Sequence, residues 1–226
     1  MQPATIFTCC SYSGLPLVMQ RCLTHYRVTH ITNNTPSGLP PNTSGQGSPY
    51  TLPTLRLPDG TYIMDSLAIA EKLETLHPSP SLHLDNNLHN ALGPIIGRIS
   101  LPLIPIFMPR IGRDIVPESA ADYFHETRSK RFGMPLDELE KQKGGEQAWQ
   151  AARPGIEGLK AFMSAHKQDE GPFVLGSEVC YADFVIASLM ESLRRIGPDL
   201  FESFVDENAE LRALHQACGK WMEKDQ

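Results

Sequence analysis

The sequence predicts a small α/β domain followed by an all-helical domain, and three observations carry that expectation. Short runs of β-branched and aromatic residues alternate with amphipathic stretches only before residue 80; beyond it the apolar residues recur at helical spacing. The segment Pro78-Ser79-Pro80-Ser81 separates the two textures and sets the expected boundary between residues 1–80 and 81–226. Ten of the 19 prolines fall before residue 82, which excludes a plain helical bundle for the first third.

In chain order, residues 4–9 favour a strand through Thr5, Ile6 and Phe7, and Ser11-Tyr12-Ser13-Gly14 makes a turn. Pro16 opens a helix to about residue 25, with Leu15, Val18, Met19, Cys22 and Leu23 on one face. A weaker strand covers 27–32. Residues 33–49 carry no charge and little to bury, as a loop does. Two strands, 52–57 and 61–64, flank Pro58-Asp59-Gly60 as a hairpin. Asp65-Ser66 then leads into a helix with Leu67, Ile69, Ala70, Leu73 and Leu76, stopped at His77-Pro78. Further helices are expected over 87–108, 118–132, 146–167, 181–195 and 208–224. The apolar stretch 91–112 contains Arg98, Arg110 and four prolines and never reaches 18 clean apolar residues, so it reads as a buried, broken helix and not a membrane span.

Composition excludes several classes of function. A net charge of −6 and a pI near 5.7 lack the basic footprint of a nucleic-acid binder. The five cysteines, Cys9, Cys10, Cys22, Cys180 and Cys218, contain no Cys-x-x-Cys pair, so no disulfide framework or structural zinc site is expected, and a reducing, cytoplasmic compartment is. The first residues have no basic segment followed by an apolar core, so no signal peptide is expected. The eight histidines include no His-x-x-x-His pair, and no metal site is expected.

Two features point to a ligand. Pro53, inside a strand, cannot donate to the ladder; an edge position or a cis bond accommodates it, and a cis bond would free the Leu52 peptide to pair with a ligand main chain. Asp65-Ser66 stands where a hairpin meets a helix. Unpaired N–H groups and a partial positive charge there can receive a carboxylate, with the Ser66 hydroxyl beside it and Asp65 available to an ammonium. Taken alone, Pro53 suits an ordinary edge strand and Asp65 an ordinary helix cap.

Together, Leu52-Pro53-Thr54-Leu55, Asp59-Gly60, Ile63-Met64-Asp65-Ser66 and the following helix resemble the second half of the thioredoxin-like domain of the glutathione transferase superfamily. The resemblance implies glutathione as cofactor, with Leu52 and Pro53 at its cysteinyl main chain and Asp65 and Ser66 at its γ-glutamyl end. Residues 173–184 resemble the family's buried capping motif, in which Asp183 reaches back to the cap position, here Cys180, and Val179 and Phe184 form the staple. Residues 123–139 resemble a fungal branch related to bacterial etherase-type enzymes, whose members act in secondary metabolism.

The same resemblance places the catalytic group in the first turn, where a hydroxyl holds the glutathione thiol as thiolate. Aligning Cys9-Cys10 puts Ser11 there; Ser13 is the rival, and Tyr12 and Cys10 share the turn. Phe107, Met108 and Tyr123 are the expected lining of a pocket for an apolar substrate. The implied reaction is glutathione conjugation of an electrophilic small molecule, or cis–trans isomerisation of a conjugated alkene, by a homodimer that binds no nucleic acid and no membrane. The alternatives are a thiol oxidoreductase using Cys10 and a non-catalytic binding module of the same fold.

Overall fold

The computed structural model describes residues 31–32, 54–57, 59–206 and 208–222. Strands β1 (Ile31–Thr32), β2 (Thr54–Arg56) and β3 (Tyr62–Met64) form an antiparallel sheet in the order β1-β2-β3. The β2–β3 register pairs Leu55 with Ile63 and Arg56 with Tyr62. Gly60 closes the turn at φ 88°, a conformation open to glycine, while the Asp59 carboxylate accepts the Thr61 N–H at 2.8 Å. Leu55, 1% exposed, anchors the strand in the core.

Helix α1 (Ser66–Leu76) buries Ile69, Ala70 and Leu73 on one face and ends at His77, before Pro78. A 3₁₀ turn (Leu84–Asn86) follows, then α2 (Leu88–Asp114), α3 (Glu118–Phe132), α4 (Leu136–Lys143), α5 (Glu146–His166), α6 (Tyr181–Ile196), α7 (Pro198–Val205) and α8 (Ala209–Cys218), with a last 3₁₀ turn at Gly219–Trp221.

The expected break in the apolar stretch does not occur. Helix α2 runs unbroken through Pro94, Pro102, Pro105 and Pro109. At 3.6 residues per turn these four prolines fall within an arc of about 80°. The missing N–H groups therefore lie on one side, and the hydrogen-bond ladder opposite runs on. That opposite side carries Leu92, Ile96, Ile99, Leu103 and Ile106, all buried. By length and composition α2 is long and apolar enough to cross a membrane, with a mean hydropathy of 1.6 over its most apolar window, 39% of which is buried inside the protein.

Packing divides the chain into two compact units, one of Met1–His89, Lys167–Met190 and Asn208–Gln226, the other of Asn90–His166 and Glu191–Glu207. In the second unit α5 crosses α2 at Gly155, where a Cβ would lie 2.8 Å from backbone atoms of Arg98 and Ile99. Helix α3 meets α2 at Gly112, against the rings of His125 and Phe124. Arg110 pairs with Asp199 at 2.7 Å, and Glu191, 9% exposed, receives both Arg194 and Arg195 at 2.8 Å. In the first unit Trp221 packs edge-on against Phe184, with ring centroids 5.2 Å apart.

Candidate functional site

The mouth of α1 is built from two adjacent residues. Asp65 lies at φ 78°, ψ 130°, a region that non-glycine residues occupy at a cost of about 1–3 kcal/mol. Its Oδ1 accepts the Leu67 N–H at 2.9 Å and the Ala68 N–H at 3.3 Å, and its carbonyl accepts the Ile69 N–H at 3.0 Å. Asp65 is therefore a helix cap, as its position alone suggests. One group of the first turn is left over: among the described residues the Ser66 N–H has no acceptor. No hydrogen bond there uses Asp65 Oδ2 either. Among the described residues the mouth thus presents an N–H and a hydroxyl from Ser66 next to a carboxylate oxygen without a hydrogen bond, on a strained and hence well-fixed backbone.

A further residue is tied to α1 through the backbone. Tyr181, the first residue of α6 and only 5% exposed, is in the same compact unit as α1. Its N–H donates to the Leu82 carbonyl at 2.8 Å, and the Leu82 N–H donates to the Glu74 carboxylate of α1 at 2.7 and 3.0 Å. The Ser81 hydroxyl donates to the same carboxylate at 2.5 Å. One backbone residue is thus held by α1 on one side and α6 on the other. The Tyr181 phenol is shifted by its surroundings. Burial pushes it up to about 12, and the Asp65 and Glu71 carboxylates add to the shift, while the Ser66 hydroxyl works against it. The ring also packs edge-on against His89, with centroids 5.8 Å apart and planes at 87°. Asp65 and Ser66 are neighbours in the sequence, whereas the link from α1 to Tyr181 spans more than a hundred residues and has no local signal.

The capping motif forms as expected. Asp183, fully buried, accepts the Val174 N–H at 2.7 Å through Oδ1 and the Cys180 N–H at 2.8 Å through Oδ2. Burial raises its carboxyl to about 6 against the opposing pull of the two N–H donors. Cys180 occupies the cap position, and desolvation drives its thiol well above the ordinary range, as it does for Cys218. Neither is a reactive thiol.

The remaining candidates divide by location. Ser11, Ser13, Tyr12, Cys10, Leu52 and Pro53 lie outside the described residues. Phe107 on α2 is 7% exposed and part of the core, Met108 is half-buried, and Tyr123 on α3 is 50% exposed. Among the described residues no group of three or more His, Cys, Asp or Glu side chains could hold a metal ion. A hollow of about 240 Å³ in the second unit, lined by Trp149, Arg153, Lys160 and Phe204 among others, contains none of the predicted residues.

A hairpin sheet feeding a helix capped by Asp65, in a chain otherwise of helices with a buried capping aspartate, defines a protein of the thioredoxin-like plus all-helical class. Comparison with known proteins agrees. Residues 10–76 match the family model for the glutathione S-transferase N-terminal domain, and residues 93–224 match that for the C-terminal domain. The chain is 28% identical over 205 residues to the glutathione S-transferase-like protein ustS of Aspergillus flavus, covering 82% of this chain and 72% of that one. Among solved structures it resembles the glutathione S-transferase CsGST63524 of Ceriporiopsis subvermispora in complex with glutathione, with a TM-score of 0.69, 26% identity, and coverage of 82% and 77% of the two chains. It likewise resembles glutathione transferase GSTFuA3 of Phanerochaete chrysosporium, with a TM-score of 0.67, 25% identity, and coverage of 79% and 73%. The chain belongs to the glutathione S-transferase family, and its function is of that glutathione-dependent type.

Proposed function

We propose that this protein is a glutathione-dependent enzyme acting on an electrophilic or conjugated-alkene small molecule, by conjugation or by cis–trans isomerisation, in fungal secondary metabolism. The observation that carries the reading is the set of free groups at the mouth of α1. The γ-glutamyl end of glutathione has an α-carboxylate, which needs donors, and an α-ammonium, which needs an acceptor. Ser66 offers an N–H and a hydroxyl, and Asp65 an uncommitted Oδ2. The donor set matches the ligand's two charges in kind and number.

When bound, glutathione supplies a nucleophilic thiolate. Under this reading Asp65 and Ser66 orient it from the γ-glutamyl end, the Leu52 peptide beside Pro53 pairs with its main chain, and Ser11 or Ser13 holds the sulfur charge. Residues 1–80 carry this half of the work and residues 81–226 the acceptor. Of the three proposed lining residues, Tyr123 offers the most free surface and Phe107 the least. A cytoplasmic homodimer completes the proposal, with sizing chromatography as its check. The relative ustS, a glutathione S-transferase-like protein of Aspergillus flavus, supports a fungal setting.

Titration calorimetry with glutathione tests the site. The wild-type chain should bind, and Asp65→Ala and Ser66→Ala should each weaken binding about tenfold, the worth of one charge-assisted hydrogen bond. Absence of binding to the wild type overturns the enzyme reading. Incubating conjugated polyenes with catalytic amounts of glutathione separates the two reactions, since isomerisation turns over without consuming thiol and conjugation yields a stoichiometric adduct.

A further inference from the structure

We propose that the hollow between α5 and α7 is a binding site for a short free peptide with an apolar side chain, held by both of its charged ends. The hollow measures about 240 Å³, and its walls include Glu146, Trp149, Arg153 and Lys160 of α5 and Ser203 and Phe204 of α7. All of them lie in the second compact unit. The volume falls just below the roughly 300–1,000 Å³ of pockets for drug-sized molecules, so it suits a smaller ligand. Both helices are anchored to the same neighbour: α5 crosses α2 closely at Gly155, and Asp199 of α7 is held by Arg110 of α2 at 2.7 Å. The hollow is thus built on fixed elements.

The charges on the walls decide what the hollow takes. Lys160 and Glu157 pair with each other at 3.1 Å, so neither is the first choice of a ligand. Arg153 makes no hydrogen bond or ion pair among the described residues. Glu146 makes no ion pair there either, and its one side-chain hydrogen bond is a long one of 3.4 Å from Gln150 of its own helix. One uncommitted charge of each sign therefore faces the same hollow. A simple anion at Arg153 is opposed by Glu146, and a simple cation at Glu146 is opposed by Arg153. A zwitterion satisfies both.

The spacing sets the size of that zwitterion. Glu146, Trp149 and Arg153 follow one another at three and four residues along α5, which puts them on one face. The two charged residues are about 10 Å apart along the axis, at about 1.5 Å per residue. A single amino acid has both charged groups on one carbon and does not span such a run. An extended dipeptide covers about 7 Å and a tripeptide about 10 Å. Between the ends, the half-buried Trp149 and the buried Phe204 offer ring surface to an apolar side chain, and Ser203 offers a hydroxyl to a peptide group. The guanidinium of Arg153 suits a carboxylate through two parallel bonds, and the Glu146 carboxylate suits an ammonium.

The test is an NMR titration of the ¹⁵N-labelled full chain with alanyl-phenylalanine, read at the indole N–H lines of its two tryptophans, which Trp149→Phe assigns. The Trp149 line should move and saturate while the Trp221 line, from the other compact unit, stays in place. The C-terminal amide and the N-acetyl form of the peptide should each bind about tenfold more weakly, the scale of one charge-assisted hydrogen bond. Arg153→Gln should bring the free peptide down to the affinity of its amide, and Glu146→Gln to that of its N-acetyl form. Both residues are exposed, and the capped peptides test the inference on the unaltered chain. A Trp149 line that does not move at about 10 mM peptide overturns the inference. Equal affinity for free and capped peptides overturns it as well, since ring contact alone then holds the ligand. Weakening by one cap and not the other also overturns it, and assigns the hollow to a simple anion or a simple cation instead.

Discussion

Replacing Asp183 by alanine removes a fully buried carboxylate that serves two buried backbone donors, the Val174 N–H at 2.7 Å and the Cys180 N–H at 2.8 Å. A buried donor left without an acceptor costs about 1–3 kcal/mol, so two of them set a gross loss of about 2–6 kcal/mol. Part of this is recovered because the variant no longer buries a charge, which places the expected net loss at neutral pH at about 2–4 kcal/mol. Asp183→Asn keeps the shape but only one acceptor oxygen, so it orphans one donor and should lose about 1–3 kcal/mol. The raised carboxyl adds a pH signature. With a folded value of about 6 above the ordinary 3.8, the stabilisation that comes with protonation is fully present below about 3.8 and is lost as the pH rises through about 6. The wild type therefore gains about 1 kcal/mol from this group between pH 7 and pH 5, and the asparagine variant does not. The gap between them should widen at pH 5. Trp221, against Phe184 in the same compact unit, reports urea unfolding by its fluorescence in a Trp149→Phe background, which removes the other of the two tryptophans. A loss below about 1 kcal/mol for Asp183→Ala refutes the double cap, and a gap that narrows at pH 5 refutes the sign of the burial effect.

Gly155→Ala places a Cβ 2.8 Å from backbone atoms of Arg98 and Ile99, which cannot swing aside as a side-chain end could; a loss of about 1–3 kcal/mol is expected in thermal melts, and an unchanged melting point contradicts the close α2–α5 crossing. Asp65→Gly and Asp65→Ala both lose the cap, but glycine adopts φ 78° without strain, so the glycine variant should be the more stable by about 1 kcal/mol in urea titrations; an alanine variant of equal stability shows that the backbone relaxes. Cys180 and Cys218 are buried with raised thiols, so a thiol reagent should leave both unlabelled in the native chain and label both in urea, as read by peptide mass mapping; labelling of either under native conditions contradicts their burial.

Helix α3 shows what local signals convey. Pro117 precedes it and Gly133, at φ 72°, closes it, so both its ends, Glu118 and Phe132, are readable without tertiary context. The end of α2 is not, because Pro109 reads as a stop. Only the placement of all four prolines on one side lets the helix continue to Asp114. Two helices of eight residues each escape periodicity altogether. In α4 only Leu136 and Leu139 are buried, too few to define a period. In α7 Pro198 supplies a start signal, but the buried Leu200, Phe201, Phe204 and Val205 span little more than a turn. The helix expected to reach residue 224 ends at Cys218, where the chain tightens into a 3₁₀ turn at Gly219.

The candidate site divides along the same line. Asp65 and Ser66 are legible because a hairpin followed at once by a helix is a local pattern, and the chemistry of the mouth depends on consecutive residues. The link between α1 and Tyr181 is not legible, because it is made by the pair of backbone bonds of Leu82, to Glu74 and to Tyr181 itself, and backbone groups have no signature in a sequence. The capping motif gives that stretch a structural meaning, and its geometry bears on the link to α1. Asp183 Oδ2 fixes the Cys180 N–H, and Tyr181 is the next residue, its own N–H fixed by the Leu82 carbonyl. Two consecutive peptide groups are thus pinned from opposite sides, and little freedom is left in where the tyrosine side chain begins. A carboxylate that looks inward to close a helix thereby also fixes the residue that α1 holds through Leu82, so loss of the cap should loosen the attachment of α1 as well as the fold around it.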